Sequence, residues 1–358
     1  MADAGEAVVQ RLRAEARHLW PGTPSVALTI AQKFSRPYST VYRLQLVTAE
    51  SGSAFTAPRA LYAKVFRPSR DNLHNQQKYL DRLQTEFEVA QRLHAAMQMQ
   101  AHFAVVRPVA YYPELLALVT EEARGRVLSE IVTAACKQWS LRSALQQAVL
   151  HCRRAGEALA AIQATTHVAE PFAGSELLEY MKIRLQRLRE STETPFSVDD
   201  HRLVLNFIER SLAKIPAEQL AQCGCHGDYA PFNLLAEEER VTVLDFSMFK
   251  TGSCYNDVTY FHHRVEGYLH KPIFSAPAIH AVQHAFLEGY NHASGRALHP
   301  IENDLLFRVM WMKHVLNNYS AIMRNRVGRG RRASWAVRMF NRRVFRRYNE
   351  WLVRTCRV

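Results

Sequence analysis

No apolar run in the 358-residue chain approaches the roughly 20 residues that a membrane-spanning helix needs. The first twenty residues, MADAGEAVVQRLRAEARHLW, carry charges throughout and lack the apolar centre of a secretory signal. Cysteine is sparse: Cys136, Cys152, Cys223, Cys225, Cys254 and Cys356 are scattered without the spacing of a disulfide framework. Free thiols in a reducing cytoplasm are the expectation. Cys223-Gly224-Cys225-His226 is half of a zinc pattern, and His262 and His263 lie downstream, but no second cysteine pair follows. The two thiols read instead as small buried residues on a strand. Low-complexity segments are missing too, and the 48% hydrophobic share suits one large or two modest folded domains. Acid is nearly missing from one end. Between Arg324 and Val358 twelve arginines meet one acid, Glu350, which places eleven of the thirteen net positive charges there. The body is close to neutral, and the basic character belongs to the C-terminus.

Turning to what is present, Val8, Val9, Leu12, Ala16 and Leu19 recur at helical spacing, and Pro21-Gly22-Thr23-Pro24 ends that helix. Val26 to Ala31 and Val41 to Val47 read as strands, and a polar turn at Glu50 to Ser53 follows. A third strand, Leu61 to Phe66, alternates Leu61, Ala63 and Val65 against Tyr62, Lys64 and Phe66. Lys64 is either an edge charge that discourages aggregation or a phosphate-pairing lysine. Asn72 to Met97 is a long amphipathic helix carrying Glu86 and Glu88. Phe103 to Tyr111 and Leu115 to Glu121 are two more strands. Beyond them the pattern turns helical, at 127–135, 141–165, 175–189, 198–214, 279–291 and 305–323. Small residues from Ala155 to Ile162 mark a central buried helix. Asp257 fits the N-cap of a further one.

The most informative stretch is CHGDYAPFNLLAEEERVTVLDF, residues 225–246. Leu234-Leu235-Ala236, a charged break at 237–240 and Val241-Thr242-Val243-Leu244 form a hairpin pattern. A turn centred on Glu238-Glu239 sets position 233 opposite 244 and position 232 opposite 245. Asn233 then enters the first strand beside Asp245 leaving the second, and Asp228 sits in the loop before. Side-chain oxygens gathered at one hairpin end suit a hard divalent cation carrying phosphates.

The order His226-Gly227-Asp228, Asn233, Asp245-Phe246 is that of a kinase catalytic loop and its metal-binding Asp. With Gly between His and Asp, and Pro231 before Asn233, it resembles the aminoglycoside phosphotransferase and choline kinase-like family of small-molecule kinases. The resemblance implies an α+β, protein-kinase-like bilobal fold: an N-terminal antiparallel sheet lobe with one long helix (1–122), a larger, mainly helical C-terminal lobe (123–323), and here an Arg-rich C-terminal helix (324–358). It implies ATP and Mg²⁺ as cofactors. Asp228 would be the catalytic group, Asn233 and Asp245 the metal ligands, and His226 a strut for the loop. Lys64 would pair with phosphates and Glu86 would orient it, with Glu88 as the fallback. Leu118 to Gly125 is similar to the family's inter-lobe linker, so backbone groups near Glu121 and Ala123 would hold the adenine edge. One departure stands out. The turn Phe34 to Thr40 has no glycine to bring backbone N–H groups against phosphate, leaving the hydroxyls of Ser35, Ser39 and Thr40, with Ser39 the expected contact.

The expected function is transfer of the γ-phosphate of ATP to a hydroxyl of a small molecule, such as a sugar or lipid-linked glycan. A polycationic acceptor would need an acidic wall, and Glu266, Glu288, Glu302 and Asp304 make no cluster in sequence. Val337, Phe340, Val344, Tyr348 and Trp351 follow helical spacing beside an Arg338, Arg342, Arg346 row. That helix suits peripheral contact with an anionic membrane or glycan, nucleic acid less so, or simple docking on the body. Two other readings remain: an inactive kinase-like binding module, and an anionic-polymer binder working through the arginines.

Overall fold

A computed structural model describes residues 3–21, 26–36, 38–48, 60–67, 76–191, 196–216, 219–295, 304–329 and 335–357. The polar turn at Glu50 to Ser53, the helix start at Asn72 to Asn75, Glu302, Arg331, Arg332 and the side chains of Arg324, Arg326 and Arg329 lie outside the described residues.

Along the chain run α1 (Ala4–Leu19), β1 (Val26–Ser35), β2 (Ser39–Thr48), β3 (Ala60–Phe66), α2 (Gln76–Ala96), β4 (Phe103–Val105), β5 (Pro108–Tyr112), β6 (Ala117–Glu121) and β7 (Arg126–Val127). Then come α3 (Leu128–Ala135), α4 (Arg142–Thr165), β8 (His167–Val168), α5 (Gly174–Arg189), α6 (Val198–Lys214) and β9 (Gln222–Cys225). The rest comprises β10 (Leu234–Glu237), β11 (Arg240–Val243), β12 (Lys250–Ser253), α7 (Tyr255–Glu266), α8 (Ala276–Ala293), α9 (Leu305–Arg329) and α10 (Trp335–Cys356). The fold is α+β, with an N-terminal antiparallel sheet and a helical C-terminal region. None of the described helices is long and apolar enough to cross a membrane.

The chain divides into two compact units. Unit 1 comprises Met1–Leu128, His226–Asp228 and Phe232–Phe249, and unit 2 comprises Ser129–Cys225, Tyr229–Pro231 and Lys250–Val358. In unit 1 an antiparallel sheet has the order β1-β2-β3-β6-β5. Helix α1 buries Val8, Val9 and Leu12 among Leu28, Tyr42, Leu44, Leu61 and Ala63 of that sheet. Its N-cap, Asp3, accepts from the Gly5 N–H at 3.0 Å, Lys33 Nζ at 2.6 Å and the Tyr42 hydroxyl at 2.6 Å. The Lys33 bond, then the Tyr42 bond, hold its carboxyl well below the usual range. Strand β3 alternates as its sequence says, with Leu61, Ala63 and Val65 buried and Tyr62 and Lys64 half-buried. Helix α2 buries Leu83, Glu86, Val89, Ala90 and Leu93.

Phe103 to Tyr111 is not one strand. It breaks before Pro108 into β4 and β5, which join different sheets. Strand β4 pairs in parallel with β11 in a second sheet, β4-β11-β10-β7, a non-local pairing that local periodicity cannot reveal. Strands β1 and β2 are also longer than expected. They pair through Ser35 and Thr40.

In unit 2, α4 and α8 pack closely. A Cβ on Gly156 would lie 2.1 Å from the Phe286 carbonyl oxygen, and one on Gly289 would lie 2.2 Å from that of Arg153. Only glycine permits this approach, and the small-residue run reads correctly as a buried helix. Asp257 is not the N-cap of α7. Cys254 occupies that place, and Asp257 lies fully buried in the first turn. All six cysteines are free and buried, and among the described residues no group of three metal-ligating side chains gathers. Helix α10 buries Val344, Phe345, Tyr348, Leu352 and Cys356, whereas Val337 and Phe340 are exposed. Its first turns therefore do not continue the buried face that the spacing suggested.

Candidate active site

The hairpin β10–β11 has the register expected of a two-residue turn at Glu238-Glu239: Leu234 pairs with Val243, Leu235 with Thr242, Ala236 with Val241 and Glu237 with Arg240. Glu238 adopts φ +48°, in the left-handed region. One step further, the Leu244 N–H donates to the Asn233 carbonyl at 2.9 Å. Asn233 and Asp245 therefore leave the same end of the hairpin.

Asp228 precedes this hairpin on a loop fixed by His226 and Gly227. The Asp228 N–H donates to His226 Nδ1 at 3.3 Å, so Nε2 carries the proton and donates it to the Leu244 carbonyl at 2.8 Å. The imidazole thus ties the loop to the far strand. Its ring packs 4.8 Å from the buried Phe246 ring, centroid to centroid. Gly227 has φ +81°, and a Cβ there would lie 2.3 Å from the Met248 carbonyl oxygen. Both facts require glycine between His226 and Asp228. The Asn233 amide donates to the Asp228 carbonyl at 2.9 Å and to Asp228 Oδ2 at 3.2 Å.

Strand β3 brings Lys64 to the same place. Its ammonium donates to Asp245 Oδ1 at 2.8 Å and to both Glu86 oxygens, at 3.2 and 3.3 Å. Of the two α2 acids, Glu86 is the one paired with the lysine. Glu88 is exposed and accepts from Gln84 instead. Asp245 sits at φ +62°, a conformation costly for most side chains and tolerated by Asp. Its Oδ1 also accepts from the Ser247 hydroxyl at 2.6 Å. Burial alone would raise the Asp245 carboxyl, but the Lys64 charge, the Lys64 and Ser247 hydrogen bonds and His226 together bring it down to about 2. Deep burial dominates at Glu86 and pushes it up to about 7 despite the Lys64 charge. Partial burial opposes the charge of Lys64, yet the two carboxylates raise its pKa on balance.

The remaining expected residues are less uniform. Ser39 is buried at the start of β2, and its carbonyl accepts from the Arg36 N–H. Thr40 is buried too, and the Ser35 hydroxyl accepts from Arg67 at 3.3 Å. Glu121 ends β6 with its N–H donating to the Arg107 carbonyl and its carboxylate paired with Arg107 at 2.8 Å. Only its carbonyl is left to face a ligand. Two residues on, the Ala123 N–H has no partner among the described residues. Sequence reasoning missed Ser247, whose place two residues after Asp245 was the available signal. It also missed Arg43, which holds Glu122 beside the linker through bonds of 2.6 and 3.1 Å.

Two oxygens point to a cation. Asp245 Oδ2 and Asn233 Oδ1 receive no hydrogen-bond donor from the described residues. A hard divalent ion fits this all-oxygen donor set, whereas a soft metal would need sulfur or imidazole.

No curated protein matches the sequence. Solved structures share the fold. A Ralstonia eutropha JMP134 protein classed with the aminoglycoside phosphotransferases superposes with TM-score 0.63 at 16% identity, covering 97% of this chain and 98% of the other. A glucosamine kinase in complex with glucosamine, ADP and inorganic phosphate gives 0.58 at 15%, covering 99% and 88%. Choline kinase from Cryptosporidium parvum Iowa II gives 0.53 at 10%, covering 97% and 94%. At such identities these likenesses speak to fold alone. The sequence itself matches a family profile over residues 56–301, more than half of the chain and the part that carries Lys64, Glu86, Asp228, Asn233 and Asp245. On that match, the chain belongs to the phosphotransferase enzyme family.

Proposed function

We propose that the protein is an ATP- and Mg²⁺-dependent kinase that phosphorylates a hydroxyl of a small molecule. The observation that carries this reading is the convergence of Lys64, Glu86 and Asp245 with the Asp228–Asn233 pair inside unit 1. Phosphoryl transfer is mostly positioning and charge neutralisation, and this set supplies both. Lys64 exchanges its bond to Asp245 for the α- and β-phosphates, and Glu86 keeps the ammonium in place. Asn233 and Asp245 would hold the Mg²⁺ through their side-chain oxygens. When bound, that ion neutralises charge on the phosphates. Asp228 orients the acceptor hydroxyl and takes its proton as the new oxygen–phosphorus bond forms and the bond to ADP breaks. The Glu121 carbonyl and the Ala123 N–H present an acceptor and a donor to the adenine edge. We assign residues 1–122 to nucleotide binding and 123–323, which carry Asp228, Asn233 and Asp245, to catalysis and the acceptor. Ser39 is the weakest member of the set because the residue is buried.

The test is turnover and nucleotide binding in parallel. Asp228→Asn is expected to cut phosphate transfer about 10²- to 10⁴-fold while thermal stabilisation by ATP and Mg²⁺ persists. Equal turnover by wild type and variant removes Asp228 from its role. Nucleotide-dependent stabilisation without turnover across a broad acceptor panel favours an inactive binding module instead.

We also assign the first half of α10 to an anionic lipid surface. Trp335, Val337, Met339 and Phe340 are exposed there beside exposed Arg338, Arg342, Arg343 and Arg346. An arginine near such a surface contributes about 1 kcal/mol. Cosedimentation with phosphatidylserine vesicles should fall steeply in an Arg338→Gln, Arg342→Gln, Arg346→Gln variant. Equal binding to neutral phosphatidylcholine vesicles contradicts the assignment.

A further inference from the structure

Asp245 lies two residues beyond β11 at φ +62°, a region that side chains other than those of Asn and Asp seldom enter. A carboxylate in that position needs fixed partners to hold one orientation. Among the described residues three donors reach it, and all three act on Oδ1: Lys64 Nζ at 2.8 Å, the Ser247 hydroxyl at 2.6 Å and the Ser247 N–H at 3.4 Å. Two of the three belong to one residue. An Asp side chain that accepts from the N–H two residues on is a local turn motif, and here the hydroxyl of the same residue adds a second, shorter bond.

Ser247 is itself firmly placed. It follows Phe246, whose fully buried ring lies 4.8 Å from the His226 ring and 6.4 Å from the Phe249 ring, centroid to centroid. The Phe249 N–H donates to the Phe246 carbonyl at 2.9 Å and closes a turn over 246–249. The Met248 carbonyl of that turn is the group that leaves no room for a Cβ on Gly227. The turn therefore packs on both residues that precede Asp228, and every group in this network lies in unit 1.

The donors on Asp245 have different fates when nucleotide binds. Lys64 turns from Asp245 to the α- and β-phosphates in the kinase reading. The hydroxyl and N–H of Ser247 then remain as the donors that the described residues give this carboxylate. Both are neutral, so they fix its orientation and leave its negative charge for a cation. Loss of a hydrogen bond that orients a ligating carboxylate typically weakens metal binding about 10- to 100-fold.

We propose that Ser247 is a positioning residue for the divalent cation: its hydroxyl holds the Asp245 carboxylate ready for the metal once Lys64 has moved to the phosphates. That role rests on the kinase reading, and Ser247 acts through Asp245 rather than on nucleotide or acceptor. Ser247→Ala keeps the N–H donor and loses the 2.6 Å bond. Ser247→Thr keeps both donors. Ser247→Val has the shape of the threonine variant without its hydroxyl, and so separates hydrogen bonding from bulk.

The test follows thermal unfolding of the full chain while Mg²⁺ is titrated at a fixed concentration of a non-hydrolysable ATP analogue. Half-maximal stabilisation should need about tenfold more Mg²⁺ in Ser247→Ala and Ser247→Val, and should stay within about twofold of wild type in Ser247→Thr. Stabilisation by the analogue in EDTA should be alike in all four proteins. Turnover should follow the same order, and excess Mg²⁺ should restore most of kcat in Ser247→Ala. An unchanged Mg²⁺ requirement in Ser247→Ala, or a Ser247→Thr that behaves like Ser247→Val, overturns the role of the hydroxyl and leaves the kinase reading standing. Analogue binding that weakens equally in EDTA and in Mg²⁺ overturns it too, because that marks a general distortion of the site. A wild type with no Mg²⁺-dependent stabilisation rejects Asp245 as a metal ligand, and the role of Ser247 falls with it. Wild type alone thus tells the two failures apart.

Discussion

Lys64 stands between two carboxylates, and the three groups cannot all be charged without leaving one negative charge in excess. The structure resolves this by environment. Glu86 is buried and raised to about 7, whereas Asp245 is half-exposed and held near 2 by the Lys64 charge and by hydrogen bonds. The raised group sets a pH dependence of stability. Its contribution is fully present below the ordinary value of 4.5 and is lost as pH rises through about 7, because the unfolded chain releases that proton first. Asp245 acts in the opposite sense, with its contribution present above 3.8 and lost as pH falls through about 2. Denaturant unfolding of the ligand-free protein should therefore show stability falling between pH 4.5 and about 7, and Glu86→Gln should flatten that slope. An unchanged slope in the variant would place its source elsewhere. At this scale the sequence was informative where a motif fixed the spacing: Asp228, Asn233 and Asp245 all came from the single stretch 225–246, one hairpin with its loop. The partly buried Lys313 was not visible, since nothing within α9 marks it; its neighbours Tyr180 and Asn256 come from α5 and α7.

Elements place these groups through a few positions where only one residue type fits. Gly227→Ala meets both a positive φ and a 2.3 Å approach to Met248, so a loss of about 1–3 kcal/mol is expected from backbone strain alone. Activity should fall by more than stability, because Asp228 follows directly. A thermal midpoint and turnover measured together would separate the two effects. Gly156→Ala forces α4 from α8 and should cost about 1–3 kcal/mol in the unfolding midpoint, as overpacking does. A neutral outcome would mean that the helix pair yields freely. The hairpin register was legible because a two-residue turn fixes the pairing of every later position. The division of 103–112 into β4 and β5 was not, because it depends on the parallel pairing of β4 with β11, more than a hundred residues away in the chain.

For the whole molecule, α10 decides how the arginine-rich end behaves. Val344, Phe345, Tyr348 and Leu352 are buried, and removing 335–358 would expose the surfaces they cover. At roughly 1.5–3 kcal/mol for each large apolar side chain, that truncation is expected to lower the thermal midpoint sharply and promote aggregation. Replacing the exposed Arg338, Arg342 and Arg346 by Gln should leave stability within about 0.5 kcal/mol. A large stability loss on removing these charges would show that they hold the helix to the body. The helix docks through its second half and exposes its first turns, so the docking reading of the sequence holds for the second half.

By itself the sequence determined most of the order of strands and helices, the hairpin register, and the grouping of Asp228, Asn233 and Asp245 on one hairpin and its loop, because periodicity, turn length and motif spacing are local properties. Tertiary structure alone decided that β4 pairs with β11, that Asp257 lies inside its helix, and that Lys313 meets Asn256 and the Tyr180 ring. Each of these depends on which distant segment supplies the neighbour, and burial and charge act through space rather than along the chain.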